Sequence, residues 1–185
     1  MGEMKPAVFL DRDGCVTVEK SYVKTAEEME IYPYAARCVE RIHELGYWAI
    51  VITNQSGVGR GMFTEKELGR MNDKLIRETG VDAVYYCPHW HNEKSRLPEY
   101  NIECECRKPN TGMIEKAKKD FPIDISRSYF VGDRATDLMT GKKAGTKAIL
   151  VRTGYGEKPL EHPVTPDAVY DNLEEFTKAL GCSRI

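Results

Sequence analysis

Ala7-Val-Phe-Leu-Asp-Arg-Asp-Gly14 sets four apolar residues directly against two carboxylates and a glycine. The apolar run is too short for a helix and rich in strand formers, so it reads as a buried strand that stops where the charge begins. The same design recurs along the chain. Trp48-Ala-Ile-Val-Ile-Thr53 runs into Asn54, Tyr129-Phe-Val-Gly132 into Asp133, and Lys147-Ala-Ile-Leu-Val151 into Arg152, while Val81 to Tyr86 supplies a fifth strand. Between them the sequence predicts helices over Tyr34 to Leu45 (stopped by Gly46), Glu65 to Thr79 (capped by Thr64, stopped by Gly80), Met113 to Phe121, and Ala135 to Ala144 (stopped by Gly145). This alternation predicts an α/β fold. Its mainly parallel sheet is covered on both faces, its crossovers are right-handed, and its ligand site lies outside the carboxyl ends of the strands. The polar residues that end each strand converge there.

Composition narrows the function classes. The 185 residues suit one domain with a real core. A net charge of -2 lacks the basic excess that a nucleic-acid partner favours. No apolar run approaches the roughly 20 residues of a membrane span, and Met1 to Pro6 has neither the apolar stretch nor the cleavage site of a secretory signal. The expected location is the cytoplasm. In that reducing compartment Cys15, Cys38, Cys87, Cys104, Cys106 and Cys182 are thiols or metal ligands rather than disulfides. The Gly/Pro-rich stretch at 154 to 166 reads as a surface loop, not a domain linker.

The strand ends carry the chemistry. Asp11 and Asp13 can enter one small site if the chain bends at Gly14. Paired carboxylates suit Mg²⁺ binding and a division between nucleophile and acid/base; a solvated Asp-Gly turn is the competing reading. Thr53-Asn-Gln-Ser-Gly57 offers hydroxyls, amides and backbone N–H groups to a phosphate, or else forms a turn with helix capping. Lys108, restrained by Pro109, suits a phosphate clamp or an ordinary solvated lysine. Asp133 is a further hard ligand for Mg²⁺, and it and Asp137 also suit helix capping and the helix dipole. Cys15 reads as a buried apolar filler, Cys38 as a helix-face thiol and Cys182 as a tail thiol, while His43 and His162 show no partner pattern.

Cys87-x-His89 and Cys104-x-Cys106 form two ligand pairs separated by a 14-residue loop, a pattern that suits a closed tetrahedral Cys₃His zinc site. With every ligand supplied by protein, such a zinc is structural. His91 is the alternative to His89, and three unrelated cysteines or a Cys104/Cys106 redox pair are the alternatives to zinc.

In their order, Asp-x-Asp-Gly, Thr-Asn, Lys and Gly-Asp-x-x-x-Asp resemble the haloacid-dehalogenase-like phosphatase superfamily. Phe9-Leu-Asp-Arg-Asp-Gly14, Val51-Ile-Thr-Asn-Gln-Ser-Gly57, Cys87-Pro-His89, Cys104-x-Cys-Arg-Lys-Pro109 and Val131-Gly-Asp133 resemble, more narrowly, the D,D-heptose 1,7-bisphosphate phosphatases. The resemblance spans roughly Val8 to Gly154, and histidinol-phosphate phosphatases share nearly all of it. It implies a Rossmann-like three-layer sandwich without a large cap domain, one phosphatase domain over 1–185, and a zinc-stabilised loop at about 87–108 with His89 as the histidine ligand.

By the same resemblance Asp11 attacks phosphorus to give an aspartyl phosphate, and Asp13 serves as general acid and then base. Thr53 and Lys108 hold phosphoryl oxygens. Mg²⁺ is held by Asp11, the main-chain carbonyl of Asp13, and Asp133. Substrate contacts are implied for Glu19, Lys20, Ser21, Tyr22, Asn54, Gln55, Ser56 and Arg107, with Arg134 as a further cation. Cys15 and Thr17 replace the threonine and asparagine frequent at those positions. The expected reaction is Mg²⁺-dependent hydrolysis of D-glycero-D-manno-heptose 1,7-bisphosphate to the heptose 1-phosphate by a cytoplasmic monomer. The alternatives are a histidinol-phosphate phosphatase and a zinc-knuckle nucleic-acid-binding protein presenting Trp90 and Tyr100.

Overall fold

The computed structural model describes residues 3–182. In chain order it contains β1 (Ala7–Leu10), α1 (Ala35–Glu44), β2 (Trp48–Asn54), α2 (Glu65–Thr79), β3 (Ala83–Cys87), α3 (Gly112–Asp120), β4 (Tyr129–Gly132), α4 (Ala135–Ala144), β5 (Lys147–Val151), β6 (Ala168–Tyr170) and α5 (Leu173–Cys182). All four residues of β1 are buried, and because alternate side chains leave opposite faces, both faces must be covered. Val8 and Leu10 join a core with Val39 and Ile42 of α1, Leu68 and Leu75 of α2, and Phe176 of α5. Ala7 and Phe9 join another with Met113, Ile114 and Ala117 of α3. Helix α4 also packs on this second face, where a Cβ on Gly141 would lie 2.7 Å from the Phe130 Cβ. The result is a three-layer sandwich.

The sheet runs β3-β2-β1-β4-β5-β6, with every neighbouring pair parallel. The chain winds outward from β1 to β3, then returns beside β1 as β4 and winds the other way. The reversal leaves a crevice at the carboxyl ends of β1 and β4, where such sheets bind ligands. Asp11 and Asp133 are the first residues beyond those two ends. The longest connections, 11–34, 88–111 and 152–167, hold no inserted domain among the described residues. No described helix is long and apolar enough to cross a membrane.

Helices α2 and α4 end at Gly80 and Gly145 as the sequence predicts. Four features depart from that reading. Strand β3 starts later than Val81 and extends to Cys87, whose register partner is Asn54. Strand β6 and helix α5 were not expected. A three-residue edge strand beyond an irregular loop carries too little periodicity to stand out, and its pairing with β5 is a tertiary fact. His43, expected to lack a partner, lies with Nε2 2.9 Å from Asp82 Oδ2, away from the crevice.

Phe130 is fully buried, stacked on Phe9 at 6.3 Å between ring centroids, with Lys108 Nζ 5.6 Å from its own ring centre. Phe130→Ala should therefore cost about 3–5 kcal/mol in urea unfolding. A loss under about 1 kcal/mol would mean that this face of the sheet collapses to fill the void.

Candidate active site

Beyond β1 the backbone holds Asp11 in place, its N–H donating to the Val131 carbonyl at 2.9 Å. Its Oδ1 accepts from the Arg12 N–H and from Lys108 Nζ, both at 2.8 Å. Lys108 Nζ also donates to Asp137 Oδ1 at 2.6 Å, so one buried cation is shared by two buried carboxylates. Burial works against the lysine's charge, but Asp11 and Asp137 outweigh it and hold its pKa above the ordinary lysine value. Burial and Asp137 push Asp11 up to about 7 against the pull of Lys108. Burial, with Asp11 and Asp137, pushes Asp133 up to about 8. A single lysine does not neutralise three carboxylates.

Oxygens of Asp11, Asp133 and Asp137 lie within 4.8 Å of one another. Their remaining capacity differs. Asp137 uses Oδ1 on Lys108 and Oδ2 on the Arg134 N–H at 3.0 Å. Asp133 Oδ2 accepts from the Tyr155 N–H at 2.7 Å, while its buried Oδ1 has no partner among the described residues. The chain also clears space around this carboxylate. Gly14, at φ +86°, and Gly154, at φ +62°, approach so closely that a Cβ on either would fall 2.2 and 2.1 Å from Asp133 Oδ2. A hard divalent cation fits this arrangement: excess negative charge, an orphaned carboxylate oxygen, and all-oxygen donors. The two carboxylates with capacity to spare are Asp11 and Asp133.

Asp13 is built differently. Its Oδ1 accepts from Arg12 Nε and Thr17 Oγ1, both at 3.0 Å, and its Oδ2 from Arg12 Nη2 at 2.9 Å and Gln55 Nε2 at 2.8 Å. Burial raises its pKa, but the guanidinium and the other donors outweigh burial and hold the carboxyl below its ordinary value. Arg12 is 1% exposed. Thr53 is buried beside this network, its Oγ1 accepting from the same Gln55 amide at 2.9 Å.

Lys108 reaches the crevice because its backbone is clamped. Asn54 Oδ1 accepts from the Lys108 N–H at 3.0 Å, and Asn54 Nδ2 donates to the Lys108 carbonyl at 3.2 Å. One residue upstream, Arg107 Nη1 donates to the His89 carbonyl at 3.2 Å. Just before it comes the sulfur cluster. Cys106 Sγ lies 3.1 Å from Cys87 Sγ, 3.3 Å from Cys104 Sγ and 3.3 Å from His89 Nδ1, and Cys87 Sγ lies 3.6 Å from both Cys104 Sγ and His89 Nδ1. Tetrahedral Zn–S bonds of about 2.3 Å set sulfurs about 3.8 Å apart, somewhat wider than these spacings, and the three sulfurs and one imidazole nitrogen converge within 4.8 Å of one another. The Cys₃His set therefore fits zinc with no position left for substrate. His91 is exposed and outside this group, so the geometry favours His89.

These elements surround a cavity of about 380 Å³ lined by Asp11, Asp13, Thr53, Arg107, Lys108 and Arg134, together with Glu19, Ser21, Tyr22, Asn54, Gln55 and Ser56. The sequence-predicted residues converge with few exceptions. Lys20 is turned away, paired with Glu30 at 2.8 Å and absent from the cavity wall. Asn54 lines the cavity, yet its amide is engaged by the Lys108 backbone. Arg134 stacks on Tyr155 at 3.8 Å and faces Glu19 and Glu161 at 3.8 and 4.0 Å. Sequence reasoning left Asp137 unresolved and passed over Arg12. The four-residue spacing from Asp133 was the available signal for Asp137, whereas a bidentate contact between adjacent residues leaves no mark in a sequence. Cys15 is fully buried, as expected of an apolar filler.

The HAD-hydrolase-like family model matches residues 105–176. The D-glycero-beta-D-manno-heptose-1,7-bisphosphate 7-phosphatase of Yersinia pestis is 38% identical over 189 residues, covering 97% of each chain. The D-glycero-alpha-D-manno-heptose-1,7-bisphosphate 7-phosphatase of Photorhabdus laumondii subsp. laumondii is 37% identical over 181 residues, 93% of this chain and 94% of that one. Among solved structures, D,D-heptose 1,7-bisphosphate phosphatase from B. bronchiseptica complexed with magnesium and phosphate superposes with a TM-score of 0.81 at 30% identity, covering 95% of this chain and 97% of that one.

The sulfur cluster generates a test of its own. Purified protein should carry about one zinc per chain by elemental analysis. Cys104→Ser should lower both zinc content and melting temperature, and zinc-free protein with an unchanged melting temperature would refute a structural metal.

Proposed function

The chain belongs to the D-glycero-D-manno-heptose-1,7-bisphosphate 7-phosphatases, a family of HAD-like hydrolases, and from that premise we propose how its own residues hydrolyse the 7-phosphate of such a bisphosphate. One observation carries the reading: Lys108 Nζ bridges Asp11 and Asp137 at the base of the cavity, 2.8 and 2.6 Å away, beside an Asp133 Oδ1 that has no partner among the described residues. Asp11 is the nucleophile. Its carboxylate attacks phosphorus, the bond from phosphorus to the sugar O7 breaks, and Asp13 delivers a proton to that leaving oxygen. Water, deprotonated by Asp13, then cleaves the aspartyl phosphate, returning Asp11 and releasing inorganic phosphate.

Lys108 and Thr53 hold the transferred oxygens, and Lys108 offsets the repulsion between a phosphate dianion and the Asp11 carboxylate. Asp11, Asp133 and the Asp13 carbonyl would hold Mg²⁺, which when bound supplies charge neutralisation at the phosphoryl oxygens. The four donors around Asp13 hold it in the ionised form from which the base step starts. For the acid step one or more must yield, and Gln55 is the donor common to Asp13 and Thr53, so a phosphate reaching Thr53 bears directly on Asp13. Cys87, His89, Cys104 and Cys106 would hold zinc as a structural clamp on the loop that ends at Lys108.

The reading extends to one phosphatase domain over residues 1–185, with its zinc loop at about 87–108, acting as a cytoplasmic monomer on a small sugar phosphate without nucleic acid or membrane. Its support is a cavity lined within one chain and a net charge of -2.

The decisive experiment is a panel of initial rates with Mg²⁺ on both anomers of heptose 1,7-bisphosphate, fructose 1,6-bisphosphate and histidinol phosphate. The highest kcat/KM should fall on one heptose anomer, with the anomeric phosphate retained in the product by ³¹P NMR. Preference for histidinol phosphate would replace this reading with the alternative. In the same assay Asp11→Asn should abolish turnover, and Asp13→Asn should lower kcat by about 10²- to 10⁴-fold in a folded protein.

A further inference from the structure

The cavity has a wall as well as a base, and the wall carries a cation to which the reaction assigns no task. Arg60, in the turn after β2, lines the cavity. Its guanidinium carbon sits 4.0 Å from the ring centre of Trp90 and 5.6 Å from that of Tyr22. Among the described residues its side chain makes no ion pair and no hydrogen bond. Arg134, by contrast, has Glu19 and Glu161 for company, and Arg107 is tied to the His89 carbonyl. A guanidinium packed against an aromatic ring is restrained through its face while the N–H donors along its edge remain available, so little freedom is lost when an anion binds.

Its placement is built into the fold. The Gly59 N–H donates to the Pro88 carbonyl at 3.0 Å. A Cβ on Gly59 would fall 2.9 Å from the Pro88 oxygen and the Trp90 nitrogen, so the two segments meet backbone to backbone just before Arg60. Pro88 and Trp90 flank His89, whose Nδ1 belongs to the sulfur cluster and whose carbonyl receives Arg107. Two guanidiniums on one cavity wall therefore rest on a single short segment: Arg60 on the Trp90 ring and Arg107 on the His89 carbonyl.

We propose that Arg60 is a specificity residue for the remote anionic group of the substrate, the phosphate that is not hydrolysed, which it grips by its edge alongside Arg107. This deepens the sugar-bisphosphate reading above and rests on it. Lys108 serves the reacting phosphoryl group; Arg60, set on Trp90, serves the far end. Bidentate recognition of a phosphate is the task for which a planar guanidinium is better suited than an ammonium.

The test compares two substrates on one protein. Heptose 1,7-bisphosphate and heptose 7-phosphate share the phosphate that leaves, and only the first carries the remote anion. The ratio of their kcat/KM values cancels any loss of folded enzyme. Arg60→Met should reduce that ratio at least tenfold, mainly through KM for the bisphosphate. Arg60→Lys, which keeps the charge and loses the fork, should fall between. Trp90→Leu should move the ratio in the same direction by about two- to fivefold, the scale of an exposed cation–π contact. A ratio preserved in Arg60→Met while the wild type prefers the bisphosphate overturns the assignment of Arg60 alone. Wild-type protein that releases phosphate from neither heptose substrate overturns the function reading, and the assignment with it.

Discussion

Everything at the catalytic end of this molecule turns on one buried ammonium. Lys108 Nζ sits 2.8 Å from Asp11 and 2.6 Å from Asp137 in a site from which water is largely excluded. Coulombic attraction is strong there and desolvation is severe, so the ion pair is tenable only because carboxylates surround the lysine. The same crowding leaves the carboxylates in excess, with Asp133 held close by two glycines and one of its oxygens without a partner among the described residues. Lysine and acids together make a base for the cavity that is negative without a divalent cation and matched to a phosphate with one.

Lys108 does not reach that position from a rigid element. It lies in the connection between β3 and α3, far along the chain from β1. Two devices substitute for secondary structure. Asn54, at the end of β2, closes a reciprocal pair of hydrogen bonds with the Lys108 backbone. The sulfur cluster immediately upstream gathers Cys87, at the end of β3, against Cys104 and Cys106. Gly112 N–H, the first of α3, donates to the Glu105 carbonyl at 2.9 Å and fastens the loop to that helix, while within the loop Asn110 Nδ2 donates to the Cys104 carbonyl at 3.1 Å. In Cys104-x-Cys-Arg-Lys the sulfur cluster thus sits directly upstream of the two cations, so whatever fixes the cluster also fixes the start of the segment that carries Arg107 and Lys108 to the cavity.

The parts of the fold that were legible in the sequence share a physical cause. Strands buried on both faces need unbroken apolar runs, and helices packed on them need apolar stripes closed by caps, so β1, β2, β4, β5 and α2 were plain. Strand β6 was not, because three residues at a sheet edge are defined by their neighbour rather than by their own pattern. The site divides in the same way. Asp11, Asp13, Thr53 and Asp133 stand at strand ends, where residue type and position coincide. Arg12, Asp137 and Arg60 depend on which way a side chain turns, as does the departure of Lys20 toward Glu30.

The amino-acid sequence by itself determined the alternation of strand and helix, the family to which its motifs belong, and the residue types at each strand end. The alternation and the strand-end residues follow from local spacing and burial period, which are properties of consecutive residues, while the family follows from the resemblance of its motifs to known ones. Only the tertiary structure decided that Lys108 is shared between Asp11 and Asp137, that Asp13 is locked by Arg12 and Gln55, and that Arg60 rests on Trp90 beside the sulfur cluster. Each of these is a contact between side chains whose meeting depends on sheet order, loop path and rotamer, and it exists only once the crevice at the ends of β1 and β4 has closed around it.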